Sequence, residues 1–445
     1  MRWFRFTFIA LALIVSFALM SGCGSSGTPS EPAQAEQQKE VTQGSDKGTV
    51  NEPQPEQTKV KLTMGSWRTE DRAAYEKIIA EFNKQYPNIQ IEFNPTKNTE
   101  YNTVLSTALQ TGGGPDIIQL RPYAAGRQLA DAGYLEPLDG LPGLEQFSKE
   151  ALLSASGADG KVYGVPTINS TTLVFYNKKI FEQFNLQEPK TWDEFLNVAE
   201  TLKQNKVTPF AFGSKEGWIL SLTHGALGPA FYSGNDFAQK IVSGATDFKS
   251  KEFLASLQMM KDLEPYFPDN YTGIGMDDMR NLFVTEQAGM MVMGVWEVAV
   301  MKEMNPDLEM DVFAIPDSSG KQTVTTWVDG SYAVNAKSPH KEEAKKFMEF
   351  MTTKTFGAMV ADELLKLSAL PGVEAKDPLV TKVSQLTYSD MATPYLAVVY
   401  FAGGNPSTKS ALESSLQGMY LGKLTPQQVA EEVQKSADTW FKPGN

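Results

Sequence analysis

From residue 59 onwards, segments with the two-residue periodicity of a β-strand alternate with segments that have the periodicity of a helix. Apolar residues in the first three such segments recur at Val60, Leu62 and Met64, at Ala74, Ile78, Phe82 and Tyr86, and at Ile89, Ile91 and Phe93. Strands that alternate with helices predict an α/β protein with mainly parallel sheets flanked by helices on both faces.

Later segments continue this pattern. Ser338 and Pro339 predict the N-cap and first residue of a helix. Thr191 and Thr425 each predict the start of another helix, because each is followed three residues later by Glu or Gln. Separate strands are predicted at 162–166, 172–176 and 331–334.

The first 22 residues have the features of a secretory signal peptide. Arg2 and Arg5 precede an uncharged, mostly apolar stretch at 6–20. This stretch has the length of a signal-peptide apolar region and is short for a membrane span. We therefore predict a signal peptide at 1–22, with a plain transmembrane anchor as the alternative.

The predicted cleavage site precedes Cys23. The sequence Met20-Ser21-Gly22-Cys23 resembles the lipobox of bacterial lipoproteins, although the family usually has Leu where this chain has Met20. The resemblance implies that Cys23 carries lipid; a free thiol is the alternative. The polar residues that follow cannot bury enough apolar surface to fold, so 23–58 is predicted to be a lipidated cysteine with a disordered linker. This places the protein on the extracellular face of the membrane of a Gram-positive-type bacterium.

Charge and cysteine content exclude disulfide-stabilised and nucleic-acid-binding classes of protein. Cys23 is the single cysteine, so the chain can form no internal disulfide. The net charge is −13, and removal of the predicted signal peptide takes away two further basic residues and no acidic ones. Nucleic-acid binding requires basic patches, so no nucleic-acid partner is expected.

Catalytic and metal-binding motifs are not found in the sequence. The two histidines, His224 and His340, are too far apart for a His-x-x-x-His metal motif. His224 lies in an apolar helix and is predicted to be a core residue. Neither a Gly-x-Ser-x-Gly motif nor a phosphate-binding Gly-x-x-x-x-Gly-Lys motif occurs. We expect no metal, cofactor or catalytic residue. A surface-anchored carbohydrate-active enzyme remains the alternative, because a pair of catalytic carboxylates need only be close in space.

A series of short motifs carries a resemblance to a known family. They are GGGPD at 112–116, GKVYGVP at 160–166, FYNK at 175–178, PKTWDEF at 189–195, EQAGMM at 286–291, GVW at 294–296, AIP at 314–316 and GSYAV at 330–334. In this order they resemble the family 1 extracellular solute-binding proteins of ABC importers, which include maltose-binding protein. The resemblance spans essentially residues 59–440.

The resemblance implies a two-lobed fold of the periplasmic-binding-protein type, with the ligand cleft between the lobes. One lobe is expected at 59–165 and 331–367, and the other at 166–330 and 368–445. A hinge would close the lobes around a carbohydrate, expected to be an oligosaccharide, for delivery to the permease subunits of an importer. The protein is expected to act as a monomer.

The resemblance and the chemistry of sugars together select the candidate ligand-binding residues. Sugars offer apolar C–H faces to aromatic rings and hydroxyl groups to polar side chains. Trp296 is the leading candidate, at the position of a sugar-stacking Trp in the family. The others follow strands or lie near the implied crossings between lobes: Trp67, Arg68, Gln119, Arg121, Tyr123, Asn169, Ser170, Glu216, Trp218, Trp327, Asp329, Tyr400 and Phe401.

Several candidates have a second interpretation. Glu216 and Trp218 match a contact of the maltodextrin-binding branch, whereas Asn169 and Ser170 stand where that branch has a glutamate. Where that branch has a Trp and an Asp, this chain has Leu120 and Tyr123. Packing in a core or at a crossing is the alternative for the aromatic and hinge candidates Trp67, Trp296, Trp327, Asp329, Tyr400 and Phe401.

Overall fold

The computed structural model of the chain describes residues 59–443. The predicted signal peptide, Cys23 and the predicted linker lie outside the described residues. Within the described range, strands β1 to β11 are Val60–Ser66, Ile89–Pro95, Ile117–Leu120, Val165–Asn177, Thr208–Phe210, Ala288–Gly294, Met310–Phe313, Ile315–Pro316, Gln322–Val334, Leu367–Ser368 and Ala392–Pro394.

Helices connect these strands, and strand–helix alternation begins at Val60 as the periodicity predicts. The α-helices α1 to α18 are Arg72–Gln85, Asn98–Gln110, Ala124–Asp131, Lys149–Leu153, Lys178–Gln183, Trp192–Gln204, Gly217–Leu227, Pro229–Tyr232, Asn235–Ser243, Lys251–Asp262, Met276–Val284, Glu297–Met304, Lys341–Met351, Lys354–Asp362, Pro378–Thr387, Leu396–Val399, Thr408–Tyr420 and Pro426–Asp438. None of these helices, all within residues 59–443, combines the length and apolar character needed to cross a membrane.

The main strands form one sheet in the order β2-β1-β3-β9-β4-β6-β5. Pairing is parallel between β1 and its neighbours β2 and β3, and between β5 and β6. It is antiparallel from β3 through β9 and β4 to β6. The α/β class is confirmed, and the sheet differs from the expectation in being mixed. It is parallel towards its two ends and antiparallel at its centre.

The antiparallel centre consists of two 13-residue strands, β4 and β9. The first part of β4 pairs with β9, whereas its last part pairs with β6 and β7. The separate strands predicted at 172–176 and 331–334 are therefore segments of these two long strands, and the strand predicted at 162–166 overlaps the start of β4. Sequence periodicity was interrupted because the buried middle of β4 carries polar residues, among them Ser170 and Thr171.

Two main clusters of buried side chains lie along this sheet. The first core includes Leu62, Tyr75, Ile117, Val165, Tyr332 and Phe347. The second core includes Phe175, Phe195, Leu220, Met290, Phe313 and Leu416. β4 and β9 each contribute residues to both cores. The two long strands are therefore the backbone links between the cores, and a third strand, β10, pairs with β4 at Ile168 and Asn169.

The first residues of three helices can be compared with the N-caps predicted from the sequence. The Thr191 and Thr425 hydroxyls accept hydrogen bonds from the third residue of α6 and α18, as predicted. The start predicted at Ser338 and Pro339 is wrong, because α13 begins at Lys341. The Ser338 hydroxyl instead donates to Asp116 at 2.7 Å, which ties this loop to the start of β3.

Candidate ligand-binding site

Two neighbouring strands of the first core present their carboxyl ends at one edge of the sheet. β1 and β3 are parallel, so the residues that follow them lie side by side. Gln119, in β3, accepts hydrogen bonds at its side-chain oxygen from the Ser66 hydroxyl at 2.7 Å and from the Trp67 backbone at 3.1 Å. The buried Gln119 side chain therefore fixes the loop that carries Trp67 and Arg68.

Trp67 supports Arg121. The Arg121 guanidinium lies 4.0 Å from the centroid of the Trp67 ring, and Nε and Nη2 donate to Asn102 at 3.1 Å and Asn98 at 2.6 Å. Tyr101 contacts the same indole edge to face. Burial lowers the pKa of Arg121 to about 10, against the raising effect of Asp329, so Arg121 remains cationic at neutral pH. Trp67 thus packs between Tyr101 and Arg121, and Arg121 is the polar group that the indole supports.

Arg68 is the buried cation at the centre of the site. It forms ion pairs with Asp329, in β9, and with Glu70 at 3.4 Å. Its guanidinium also lies 5.5 Å from the Trp296 ring centroid. Burial alone would lower the pKa of Arg68, but the carboxylates of Asp329 and Glu70 hold it above its usual value. The loop after β1 is thereby joined to a long central strand and to an indole of the second core.

Three aromatic side chains form a row beside Arg68. Trp296 contacts Trp327 edge to face, with centroids 5.8 Å apart. Trp327 contacts Tyr395 in the same manner, at 5.1 Å. The Trp327 indole N–H donates to Asp329 at 2.9 Å, so Asp329 accepts from both Trp327 and Arg68. This carboxylate therefore orients a cation and an indole together.

Trp296 lies against the end of the strand that precedes it. An ideal Cβ atom at Gly294 would be 1.9 Å from the Trp296 ring, so only glycine leaves room for the indole here. The side chain is 8% exposed. The next residue, Glu297, is buried and accepts hydrogen bonds from Arg280 at 2.6 and 3.2 Å. This ion pair anchors the start of α12 and, with it, the backbone of Trp296.

Glu216 and Trp218 lie together at the start of α7. The Trp218 indole N–H donates to Glu216 at 2.8 Å, and the second Glu216 oxygen accepts from the Met276 backbone at 2.9 Å. Both side chains are half-buried. Because each Glu216 oxygen already accepts a hydrogen bond, Glu216 orients Trp218.

Sequence reasoning missed a polar chain that runs from Tyr395 to helix α17. The Tyr395 hydroxyl donates to Ser221 at 2.9 Å, and the Ser221 hydroxyl donates to Glu413 at 3.0 Å. Glu413 also pairs with Lys409, and its charge raises the pKa of Arg121 from the opposite side of the site. Tyr395 follows the short strand β11, whereas Ser221, Lys409 and Glu413 lie within helices, and none of the four belongs to a family motif found in the sequence.

Three further candidates lie in or against the long central strands: Asn169 and Ser170 in β4, and Tyr123 against β9. The Asn169 side chain donates to the Tyr388 hydroxyl at 2.9 Å. Ser170 is paired with Trp327 in the ladder, and its buried hydroxyl has no hydrogen-bond partner within residues 59–443. The Tyr123 hydroxyl accepts from the Val328 backbone at 3.2 Å. The structure thus places these three candidates at the crossings between cores.

Tyr400 and Phe401 are adjacent in sequence and differ in environment. Tyr400 is 37% exposed, whereas Phe401 is 1% exposed and packs against Phe248 and Phe441, with ring centroids 4.7 and 4.8 Å away. Phe401 therefore packs in the second core, which favours its alternative interpretation, whereas the ligand contact stays a prediction. Apolar neighbours on both sides made the two positions indistinguishable by pattern.

No group of three or more His, Cys, Asp or Glu side chains in the described part of the chain is arranged to hold a metal ion. The site is built instead from indoles, guanidinium groups and carboxylates. Such a set can stack on flat apolar surfaces and exchange hydrogen bonds with hydroxyl groups.

Residues 65–357 match the model of a family described as bacterial extracellular solute-binding protein. The chain belongs to this family. The family resemblance found in the sequence is confirmed, and an extracellular location follows from it. The match begins just before Trp67 and ends within α14, so it includes both long central strands.

The chain is also similar to individual solute-binding proteins. The chain is 28% identical over 347 residues to the multiple sugar-binding protein of Streptococcus mutans, covering 76% of this chain and 82% of the relative. The structure of RafE, a solute-binding protein from Streptococcus pneumoniae, in complex with raffinose has a TM-score of 0.73 at 21% identity, covering 85% and 99% of the two chains. A sugar transporter from Bacillus licheniformis in complex with stachyose has a TM-score of 0.68 at 22% identity, covering 84% and 98%. These structures confirm the predicted fold.

Proposed function

We propose that this solute-binding protein captures a carbohydrate, in particular an oligosaccharide, and delivers it to an ABC importer. The observation that carries the proposal is the row of Trp296, Trp327 and Tyr395 beside the paired groups Arg68 and Asp329. Indole faces and edges suit the C–H surfaces of a sugar ring, and charged hydrogen-bonding groups suit its hydroxyls. Raffinose and stachyose, the sugars bound in the two similar structures, support an oligosaccharide.

Capture would proceed by closure about the long strands. Trp67, Arg68 and Arg121 follow strands of the first core, whereas Trp296, Trp218 and Glu413 belong to elements of the second core. β4 and β9 connect the two sets, with Trp327 and Asp329 on β9 between them. The proposed lobes are 59–165 with 331–367 and 166–330 with 368–445, and close to these bounds Ile168, Ala369 and Leu370 pack in the first core. Hinge closure would bring both sets onto one ligand and exclude water.

Anchoring and partners complete the proposal. Cleavage after residue 22 and lipidation of Cys23 would hold the protein at the membrane, and 24–58 would tether the binding domain. The partners would be the permease subunits, with the protein acting as a monomer.

We propose that the protein binds the carbohydrate and does not cleave its glycosidic bonds. Two carboxylates near Trp296 and Trp327, the half-buried Asp329 and the buried Glu297, are each held by an arginine: Asp329 by Arg68 and Glu297 by Arg280. A glycosidase needs a carboxyl group free to give a proton and a second one free to attack or to activate water. Both Glu297 oxygens accept hydrogen bonds from Arg280, and Asp329 accepts from Arg68 and Trp327, so each carboxylate is already engaged as an acceptor.

A thermal-shift screen of the purified protein against mono- and oligosaccharides, followed by calorimetry, tests the proposal. A ligand at 100 times its Kd stabilises the folded state by about 2.7 kcal/mol, which a thermal scan detects. We expect at least one oligosaccharide to raise the midpoint and to be recovered unchanged. No shift with any carbohydrate would contradict carbohydrate capture, and shortened products would favour the carbohydrate-active enzyme.

A further inference from the structure

A buried ion pair lies behind the candidate site. The Lys366 ammonium contacts both carboxylate oxygens of Asp71, with Nζ 2.6 Å from Oδ2. Lys366 is 1% exposed and Asp71 is 4% exposed, and the two residues are 295 positions apart in the chain. Buried charges are costly unless paired, so this pair strongly constrains both segments.

The pair joins the Arg68 loop to the crossings between the cores. Asp71 immediately precedes α1, and its backbone N–H donates to the Arg68 carbonyl at 3.4 Å. Lys366 immediately precedes β10, which pairs with β4 at Ile168 and Asn169. The ion pair therefore connects the loop that carries Arg68 to a strand beside the long central strands.

Four buried or nearly buried charges alternate in sign through this region: Lys366, Asp71, Arg68 and Asp329. Burial raises the pKa of Asp71, while Lys366 and, more weakly, Arg68 lower it. Asp71 thus attracts two cations, of which Lys366 makes the direct contact. Arg68 pairs instead with Asp329 and, at 3.4 Å, with Glu70, and its Nε atom has no hydrogen-bond partner among the described residues. The guanidinium is therefore incompletely fixed by its bonds.

We propose that Lys366 is a positioning residue for the ligand site: by neutralising Asp71, it keeps Arg68 on Asp329 and beside Trp296. This inference rests on the proposed carbohydrate-binding function. Lys366 acts at one remove from the indoles, because its ammonium donates its hydrogen bonds to Asp71. Without it, Asp71 becomes an unpaired buried carboxylate, and Arg68 is the cation near enough to move to it.

Two single variants break the same ion pair with different consequences. Lys366→Met leaves Asp71 unpaired, draws Arg68 away from Asp329 and weakens oligosaccharide affinity by about tenfold, within the range of coupling between neighbouring charges. Asp71→Asn removes the competing carboxylate, so affinity stays within about twofold of wild type. Both variants lower the thermal midpoint, so loss of stability alone cannot produce this difference.

The double variant and a matched control sharpen the test. Asp71→Asn combined with Lys366→Met contains no competing carboxylate and should recover affinity relative to Lys366→Met. Lys302→Met breaks another lysine–aspartate pair, with Asp377, and should leave affinity unchanged. Affinity is measured by calorimetry on folded protein with the oligosaccharide that gives the largest thermal shift. Should Lys366→Met fail to fold, Lys366→Gln retains an N–H donor to Asp71 and should give a smaller loss in the same direction.

Crystal structures of wild type and Lys366→Met give a readout that requires no ligand. The inference predicts that the Arg68 guanidinium contacts Asp71 in the variant and Asp329 in wild type. An Arg68 that stays on Asp329, or equal losses of affinity in the two single variants, would overturn it. If wild type binds no carbohydrate, the proposed function fails, and the position of Arg68 still decides whether Lys366 positions it.

Discussion

The indoles of Trp296 and Trp327 meet edge to face, with ring planes at 72°. Trp296 immediately precedes α12 of the second core, whereas Trp327 lies in the long strand β9, which also enters the first core. The contact therefore connects a loop of one core to a strand shared by both. The affinity for a ligand that contacted both rings would therefore depend on how the two cores are positioned about β9.

Replacement of Gly294 by alanine should disturb this contact. The added Cβ would overlap the Trp296 ring, and overpacking of this kind costs typically about 1–3 kcal/mol. Because the indole must also move, we expect weaker oligosaccharide binding in calorimetry and a lower free energy of unfolding. Gly273→Ala is the matched control, since a Cβ there meets no atom within 4 Å. Equal behaviour of the two variants would refute the packing role of Gly294.

Stability should depend on pH through His224. This side chain is buried in α7, its Nε2 atom is 2.8 Å from the Ser256 hydroxyl, and burial lowers the pKa of His224 to about 4. The pKa of an unfolded histidine is about 6.5, so between these values the unfolded chain binds a proton that the folded protein does not. The His224 contribution therefore destabilises the fold as pH falls, by about 1.4 kcal/mol per pH unit within this window.

Urea unfolding at pH 7 and pH 5 checks this contribution. Wild type should lose more stability over this interval than His224→Gln, which keeps a polar side chain near Ser256 and cannot take up the proton. An identical pH dependence in the two proteins would show that His224 does not titrate as its burial requires.

Anchoring rests on Cys23, which lies outside the described residues. We expect a fatty-acid probe to label wild type in growing cells and to leave Cys23→Ala unlabelled, with the variant released from the membrane fraction. The physical reason is that two or more acyl chains hold a protein stably at a bilayer, whereas a polar linker does not. Equal labelling of both proteins would end the lipoprotein interpretation.

The fold could be predicted from the sequence mainly where periodicity and caps are local. β1, α1 and β2 follow directly from their apolar spacing, and Thr425 caps its helix through its own hydroxyl. β4 and β9 were predicted only as separate short strands, because their central residues are polar and yet are buried by partners distant in sequence. Ser338 has the composition of a cap, yet its hydroxyl is bonded to Asp116, 222 positions away.

The site was predictable to the extent that its residues follow strands. Arg68, Arg121 and Trp296 come directly after strand ends, where ligands of α/β proteins bind. Tyr395, just after the short strand β11, and Glu413, within α17, reach the same region through tertiary packing. The burial of Phe401 could not be predicted from its pattern, because an aromatic residue in an apolar segment suits a core and a cleft equally well.

The central claim, that Trp296 belongs to a carbohydrate site, is tested most directly on Trp296→Ala with two curves: ligand titration by calorimetry and denaturant unfolding without ligand. We predict an affinity loss of about 2–4 kcal/mol, or roughly 30- to 900-fold, with a smaller loss of unfolding free energy. Trp192→Ala is the control, since that indole packs against Phe195 and Phe231 and should affect stability alone. Unchanged affinity of Trp296→Ala with a stability loss of about 3–5 kcal/mol would contradict the account, because that is the behaviour of a core residue.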